Sequence, residues 1–320
     1  MPWSIPRRLL RSSSFFPTKI SKMDISPLIL SLIYQLFANA AFLFLAALGL
    51  IIILGMMNII NLAHGEFMMM GAYVATITYH AGVPFVISVI LSFIVVAIIG
   101  GIFELLIIRR FYGEELGALV VTWGISLVLG QGTLLLFGPF MPSIKIPGGS
   151  YKFGVFSYSE YWLILIGVCI LLIVLLWWVY SFTNYGLQAK ATMQNPDMAK
   201  CLGVSTKKIY TITFSIGAGL AGLGGALLSP TMTIAPFMGQ QFVAPAFITV
   251  VVGGATNVIY GAVGSSLILS AVKTNIGMAF GAFFGTVALL LTALIVIRIM
   301  PNGISATFQR YIDKKSLSTK

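Results

Sequence analysis

Asn58, Asn61, His64 and Glu66 stand within nine residues of one another in the stretch NIINLAHGEF (58–67), with apolar runs on either side. Such side chains can donate and accept hydrogen bonds to a small polar solute, and a carboxylate at membrane depth is costly unless it faces a cavity or a partner. The island fits either an extramembrane turn or an interrupted, re-entrant helix, since irregular backbone at depth survives only against protein or water. In the second case the four residues line or brace a translocation route. Glu66 reads as the brace. An ionised carboxylate gripping a neutral solute would hold it without helping release, whereas one bonded to backbone amides would fix a broken helix.

A second polar island, NYGLQAKATMQNPDMAKCLGVSTKKIYTITF, occupies residues 184–214. Within it, Gln194 and Asn195 precede Pro196 and Asp197; Asn195 fits a helix N-cap, with Pro196 at the first helical position. Met198, Ala199 and Leu202 are expected to line one side of that short helix, and Gly203 to stop it. The segment is either a short helix standing off the membrane or an amphipathic helix lying in its interface.

Other chemistries find little support. His64 and His80 lack the partners of a metal or nucleophile site. Cys169 lies in an apolar run and Cys201 in a polar loop, which gives neither a disulfide framework nor a CxxC metal site. The glycine cluster GAGLAGLGG (217–225) contains no lysine, so it is no phosphate cradle. Its small residues recur every four positions instead, Gly217, Ala221 and Gly225 on one face and Ala218, Gly222 and Ala226 on another, a pattern that lets neighbouring helices approach closely. The chain is expected to carry no catalytic residues, no metal and no cofactor of its own.

The elements that hold these islands are dictated by composition. Of 320 residues, 58% are hydrophobic and 8% charged, and the mean hydropathy is +1.01. These values exclude a soluble enzyme, a disordered chain and a nucleic-acid-binding domain. Continuous rather than alternating apolar runs exclude a β-barrel. The fold expected is an all-α polytopic membrane protein of about 8–10 transmembrane helices, some broken. Apolar segments run near 27–62, 66–80, 85–108, 116–137, 161–180, 209–229, 242–258, 260–276 and 281–300. The first is too long for one upright span, so it either tilts steeply or breaks, with Gly49 and Gly55 the candidate break points; counting it twice gives ten spans.

A net charge of +11 reads as topology before it reads as a phosphate-bearing partner. Arg109 and Arg110, the loop 181–208 with Lys190, Lys200, Lys207 and Lys208, and the tail with Arg298, Arg310, Lys314, Lys315 and Lys320 are expected on the cytoplasmic side. Ten spans with an inside N-terminus put sixteen of nineteen basic residues there and leave Lys145, Lys152 and Lys273 outside. A single span over 27–62 requires the N-terminus outside. Residues 1–22 form a basic, acid-free leader or an upstream extension with Met23 as the start; residues 23–304 form one transmembrane domain with a polar loop at 181–208; residues 305–320 form a basic tail.

The stretches LGLIIILGMMNIINLAHGEFMMMGAY (48–73), GLQAKATMQNPDMAKCLGVSTKKIYTITFSIGAGLAGLGGALL (186–228) and VVVGGATNVIYGAVGSSLI (250–268) closely resemble the inner-membrane permeases of ATP-binding-cassette importers for branched-chain amino acids and urea. The likeness spans about residue 28 to MPNGI at 300–304. It implies two cytoplasmic ATPase subunits that bind ATP and Mg, a second related permease, a periplasmic solute-binding protein, surrounding membrane lipid, no nucleic acid, and a bacterial inner-membrane location. It further implies that QNPDMAKCLGV (194–204) is the coupling helix that docks into an ATPase cleft. VTWGISLVL (121–129), TMQNPDMA (192–199), LGVST (202–206) and PFMGQ (236–240) look more like the urea branch, and Gln194 stands where the amino-acid branch usually has an acid. Urea is thus the favoured substrate, ahead of branched-chain amino acids and short amides. The alternative from another class is a channel or secondary transporter without ATPases. Glu66 and Glu104 are its only intramembrane candidates for ion coupling, and no inverted repeat is evident; a structural scaffold ranks third.

Overall fold

The computed structural model describes residues 25–153, 156–254, 257–301 and 303–307. The leader and the last residues of the tail lie outside them. Apolar, helix-favouring sequence gives eleven α-helices among the described residues: α1 (Ile25–Met57), α2 (His64–His80), α3 (Phe85–Leu106), α4 (Glu115–Phe137), α5 (Glu160–Phe182), α6 (Asn184–Gln194), α7 (Pro196–Cys201), α8 (Thr206–Leu228), α9 (Gln240–Gly253), α10 (Val258–Phe280) and α11 (Ala282–Ile299). A two-stranded antiparallel hairpin, β1 (Ser150–Phe153) with β2 (Phe156–Ser159), pairs Ser150 with Ser159 and Tyr151 with Tyr158. Seven helices are long and apolar enough to cross a membrane: α1, α3, α4, α5, α8, α10 and α11. The chain is a multi-pass, helical membrane protein.

Gly49 and Gly55 do not break α1, which runs unbroken for 33 residues to Met57. The doubling of 27–62 that gave ten spans therefore falls. Gly49 serves packing instead: a Cβ there would collide with the Gly217 carbonyl of α8. Every residue from Leu43 to Leu48 and from Leu50 to Ile53 is buried, so the second half of α1 is enclosed by other helices. A helix enclosed this way keeps its ladder through a glycine, because neighbours supply the packing that the missing side chain would have lost.

α8 is the hub. Gly217 meets Ile53 of α1, a Cβ on Gly222 would press on Val96 of α3 at 2.7 Å, and Gly225 abuts the Met68 carbonyl of α2. From the other side, Gly71 of α2 rests on Gly222, and Gly100 of α3 rests on Ala218. Small side chains at these crossings let three helices touch α8 almost backbone to backbone, the source of van der Waals cohesion where lipid gives no hydrophobic drive.

The ends of the bundle are identified by their contacts. Arg109 and Arg110 follow α3, Arg298 lies in the last turn of α11, and α6 and α7 join α5 to α8, all at one end. Met56 reaches that end, since its sulfur accepts from the hydroxyls of Tyr180 and Thr213 at 3.4 Å each. The opposite end holds the first turns of α1, where the Tyr34 hydroxyl donates to the Ser159 carbonyl and accepts from its amide, both at 3.0 Å. With the basic end cytoplasmic, α1 enters from the outer side, as a single span over 27–62 requires. Lys273 lies in the outer half of α10, its Nζ 5.5 Å from the centre of the Phe42 ring, where the ring face offers a cation an attractive surface.

Candidate functional site

After Met57 the chain turns at Asn58, which adopts a left-handed φ of +52°. Asparagine tolerates this conformation better than most residues. Asn58 is exposed at the basic end of the bundle, and its Nδ2 donates to Glu115 Oε1 at 2.6 Å. The next residues run back into the protein: Ile59, Asn61 and Ala63 are buried. His64 fixes how far they go. Its Nε2 lies 2.7 Å from the Ala46 carbonyl, and because a carbonyl only accepts, Nε2 carries the proton. Ala46 is eleven residues before Met57, so α2 starts roughly 16 Å inward from the end of α1 at 1.5 Å per residue. The six residues 58–63 can cover that rise, since an extended segment of this length spans about 20 Å. The island at 58–66 turns back into the helix bundle.

Polar partners hold this irregular backbone. Asn61 Oδ1 accepts from the Ala63 amide at 3.1 Å, closing a tight local turn. Thr122 Oγ1 of α4 accepts from the Leu62 amide at 3.1 Å and lies 3.3 Å from the Ile60 carbonyl. Each bond removes the penalty of a buried, unpaired backbone group.

A second interruption meets the first. Beyond α8, Ile234 pairs with Met141 near the outer end, and the chain then descends through Phe237, at φ +65°, to Gly239. There Gly239 lies against Gly65: a Cβ on either residue would collide with the carbonyl of the other. From this contact α9 runs to the basic end, where Gly253 packs on Gly261 near the start of α10. Its 14 residues give roughly 21 Å, about three-fifths of the reach of the 23-residue α8 and α10. α2 climbs outward from the same depth. Two short helices thus abut by their N-termini inside the bundle.

Glu66 stands at that junction. It is in the first turn of α2, and its Oε2 is 2.7 Å from the place a Gly239 Cβ would take, beside the start of α9. Both helix N-termini present partial positive charge to the carboxylate. Oε1 accepts from Ser126 Oγ of α4 at 3.1 Å. The backbone-amide bonding expected of Glu66 is not what holds it; a hydroxyl does, because the first-turn amides of α2 point along the helix and α4 lies alongside. Asn61, His64 and Glu66 are all at most 1% exposed, and Asn61 Nδ2, His64 Nδ1 and Glu66 Oε2 have no hydrogen-bond partner among the described residues. One free donor and two free acceptors are therefore held at depth, a set able to bind water or a small polar solute.

Thr122 and Ser126 were absent from the sequence reading, although their four-residue spacing on an apolar helix was a usable sign of one polar stripe. Gly239 carried no local sign at all, since its role depends on meeting Gly65.

The polar segment 184–214 is built from local rules. Asn195 Oδ1 accepts from the amides of Asp197 and Met198 at 3.1 and 2.9 Å, capping α7. Lys200 Nζ lies 2.8 Å from Asp197 Oδ1, and this bond holds the exposed lysine above its usual range. Gly203 takes φ +85° as the chain turns into α8. Met198 and Leu202 are 58% and 76% exposed, whereas Ala199 is 2% exposed. Ala199 does not share their face as expected: consecutive helical residues differ by about 100°, so 198 and 202 point outward together while 199 faces the bundle. Gln194 lines a cavity of about 570 Å³ with Trp177, Lys190 and Asn257.

Comparison with known proteins follows this geometry. The family described as the permease component of branched-chain amino acid transport systems matches residues 32–300. The chain is 28% identical to a probable branched-chain amino acid transport permease protein LivH of Methanocaldococcus jannaschii, covering 87% of this chain and 92% of that one. It is 27% identical to the high-affinity branched-chain amino acid permease LivH of Salmonella typhimurium and 28% identical to BraD of Pseudomonas aeruginosa, in each case over 81% of this chain and 90% of the relative. The preference for urea read from the motifs gains no support from these names. No solved structure matches the chain.

Proposed function

This chain belongs to the family of permease components of branched-chain amino acid transport systems, and from that premise we propose that it forms one half of the membrane pathway of an ATP-driven importer of branched-chain amino acids. The observation that carries the proposal is the junction of α2 and α9, where Gly65 touches Gly239 and three buried polar atoms of Asn61, His64 and Glu66 face no protein partner. Interrupted helices meeting at mid-depth are how transporters expose polar groups to a solute inside an apolar bundle.

The outward-facing Met198 and Leu202 support docking of a cytoplasmic ATPase on α7, because an apolar pair on a polar surface is best explained by a protein that covers it. ATP and Mg then reside on two such ATPases, a second permease completes the pathway, and a solute-binding protein delivers cargo at the outer end, with the assembly in the inner membrane. Gly217, Ala221, Gly222 and Gly225 serve as the close-packing stripe of the hub helix.

The test is ATP-driven uptake by the assembled importer in proteoliposomes, with radiolabelled leucine and radiolabelled urea in parallel. ATP-dependent leucine accumulation is expected. Urea accumulation alone would move the substrate to the other branch, and uptake that persists without the ATPases would replace the importer with a channel.

A further inference from the structure

Glu104 is the second carboxylate in the apolar segments, and it is fully buried in the last turn of α3. Its Oε1 accepts from the Tyr112 hydroxyl and lies 3.4 Å from Arg109 Nε. Arg109 also donates through Nη2 to Thr211 Oγ1 of α8 at 2.6 Å. The Tyr112 ring packs edge-on against Tyr210 of α8, with centroids 5.2 Å apart. The end of α3, the turn 108–112 and the first turns of α8 are thus tied by one connected set of polar and aromatic contacts, and α7 packs on that same part of the chain where it leads into α8.

We infer that Glu104, Arg109 and Tyr112 are positioning residues that transmit displacement of α7 to α3 and, through it, to the α2 junction. This rests on the reading of α7 as the ATPase contact and adds the route by which its motion enters the bundle. Geometry favours it. α7 is only six residues long and joins α8 through the residues 202–205, so a push on it acts first on the start of α8. At that level Arg109 and Tyr112 bridge α8 to the buried Glu104. A directional, charge-assisted bond resists sliding, whereas an apolar contact lets two helices slip. α3 packs in turn on α2, whose first turn carries Glu66.

The experiment uses the complete importer in proteoliposomes, measuring leucine transported per ATP hydrolysed together with basal ATPase rate and thermal stability. Tyr112→Phe removes one hydroxyl and keeps the ring on Tyr210; Glu104→Gln keeps shape and removes charge. Both are expected to assemble, to keep basal hydrolysis, and to lower leucine per ATP by about fivefold to tenfold. Arg109→Lys, which keeps the charge but loses the fork, should fall between them and wild type. Unchanged leucine per ATP in both variants overturns the inference, and so does loss of assembly in both, which would make the cluster a folding element only. Failure of the underlying reading looks different: wild-type complex would then show no ATP-dependent uptake, or Met198→Asp would leave stimulated hydrolysis intact.

Discussion

Gly65 and Gly239 lie backbone against backbone at the point where α2 and α9 begin, although 174 positions separate them in the chain. Neither residue tolerates a side chain there. Gly65→Ala and Gly239→Ala are each expected to lower the thermal stability of the purified protein by about 1–3 kcal/mol equivalent, the usual cost of forcing atoms into a filled site. Gly124→Ala is the control, since a Cβ there meets nothing within 4 Å. Equal melting temperatures for all three would remove the crossing from the account of the site.

Glu66 and Ser126 make the next prediction. Glu66→Gln is expected to impair assembly or stability before it affects transport, because a carboxylate between two helix N-termini loses its charge-dipole stabilisation on becoming an amide. Ser126→Ala should cost about 1 kcal/mol, a single side-chain hydrogen bond. Detergent-solubilised melting of each variant and of the double mutant checks the pair. A strictly additive double mutant shows that the two do not act together.

Asn58 and Asn61 differ in depth, and thiol labelling should report it. Asn58→Cys, at an exposed position, is expected to react with a small water-soluble thiol reagent in every state. Asn61→Cys, fully buried here, is expected to react only when ATP and substrate drive the pathway open. Inertness of position 61 throughout the transport cycle would take it out of the route. Asn61→Leu should leave the complex assembled yet reduce uptake.

On α7, the exposed pair and the buried alanine separate two effects. Met198→Asp and Leu202→Asp should leave expression intact while abolishing substrate-stimulated ATP hydrolysis in the assembled importer. Ala199→Asp should instead reduce folded yield, because it places a charge against the bundle. The opposite ranking would mean that α7 docks by another face.

Loss of the α7 cap should be milder. Asn195→Ala removes the acceptor for two amides and is expected to destabilise the short helix by about 1 kcal/mol. Faster hydrogen exchange confined to residues 196–201 is the measurement, and unchanged exchange would show that packing of Ala199 alone holds the helix.

Local and compositional rules made much of this protein legible in the sequence. Continuous apolar runs set the helical membrane class, Asn195 and Pro196 marked the start of α7, and the four-residue recurrence of Gly217, Ala221 and Gly225 marked a helix made for close approach. These depend on residues a few positions apart, where spacing and side-chain chemistry act directly. Tertiary structure decided the rest. Gly49 looked like a break in α1, but Gly217 of α8 fills the space opposite it, and an enclosed helix has no reason to end. His64 could not reveal its depth until the Ala46 carbonyl accepted its hydrogen bond, and Glu66 could not reveal its partner until α4 brought Ser126 alongside. Met198 and Ala199 are neighbours in sequence, yet one faces outward and the other the bundle, a choice made by where α8 lies. The site is a meeting of segments from residues 58–66, 122–126 and 237–240, and only packing of α2, α4 and α9 around α8 sets the distances between them.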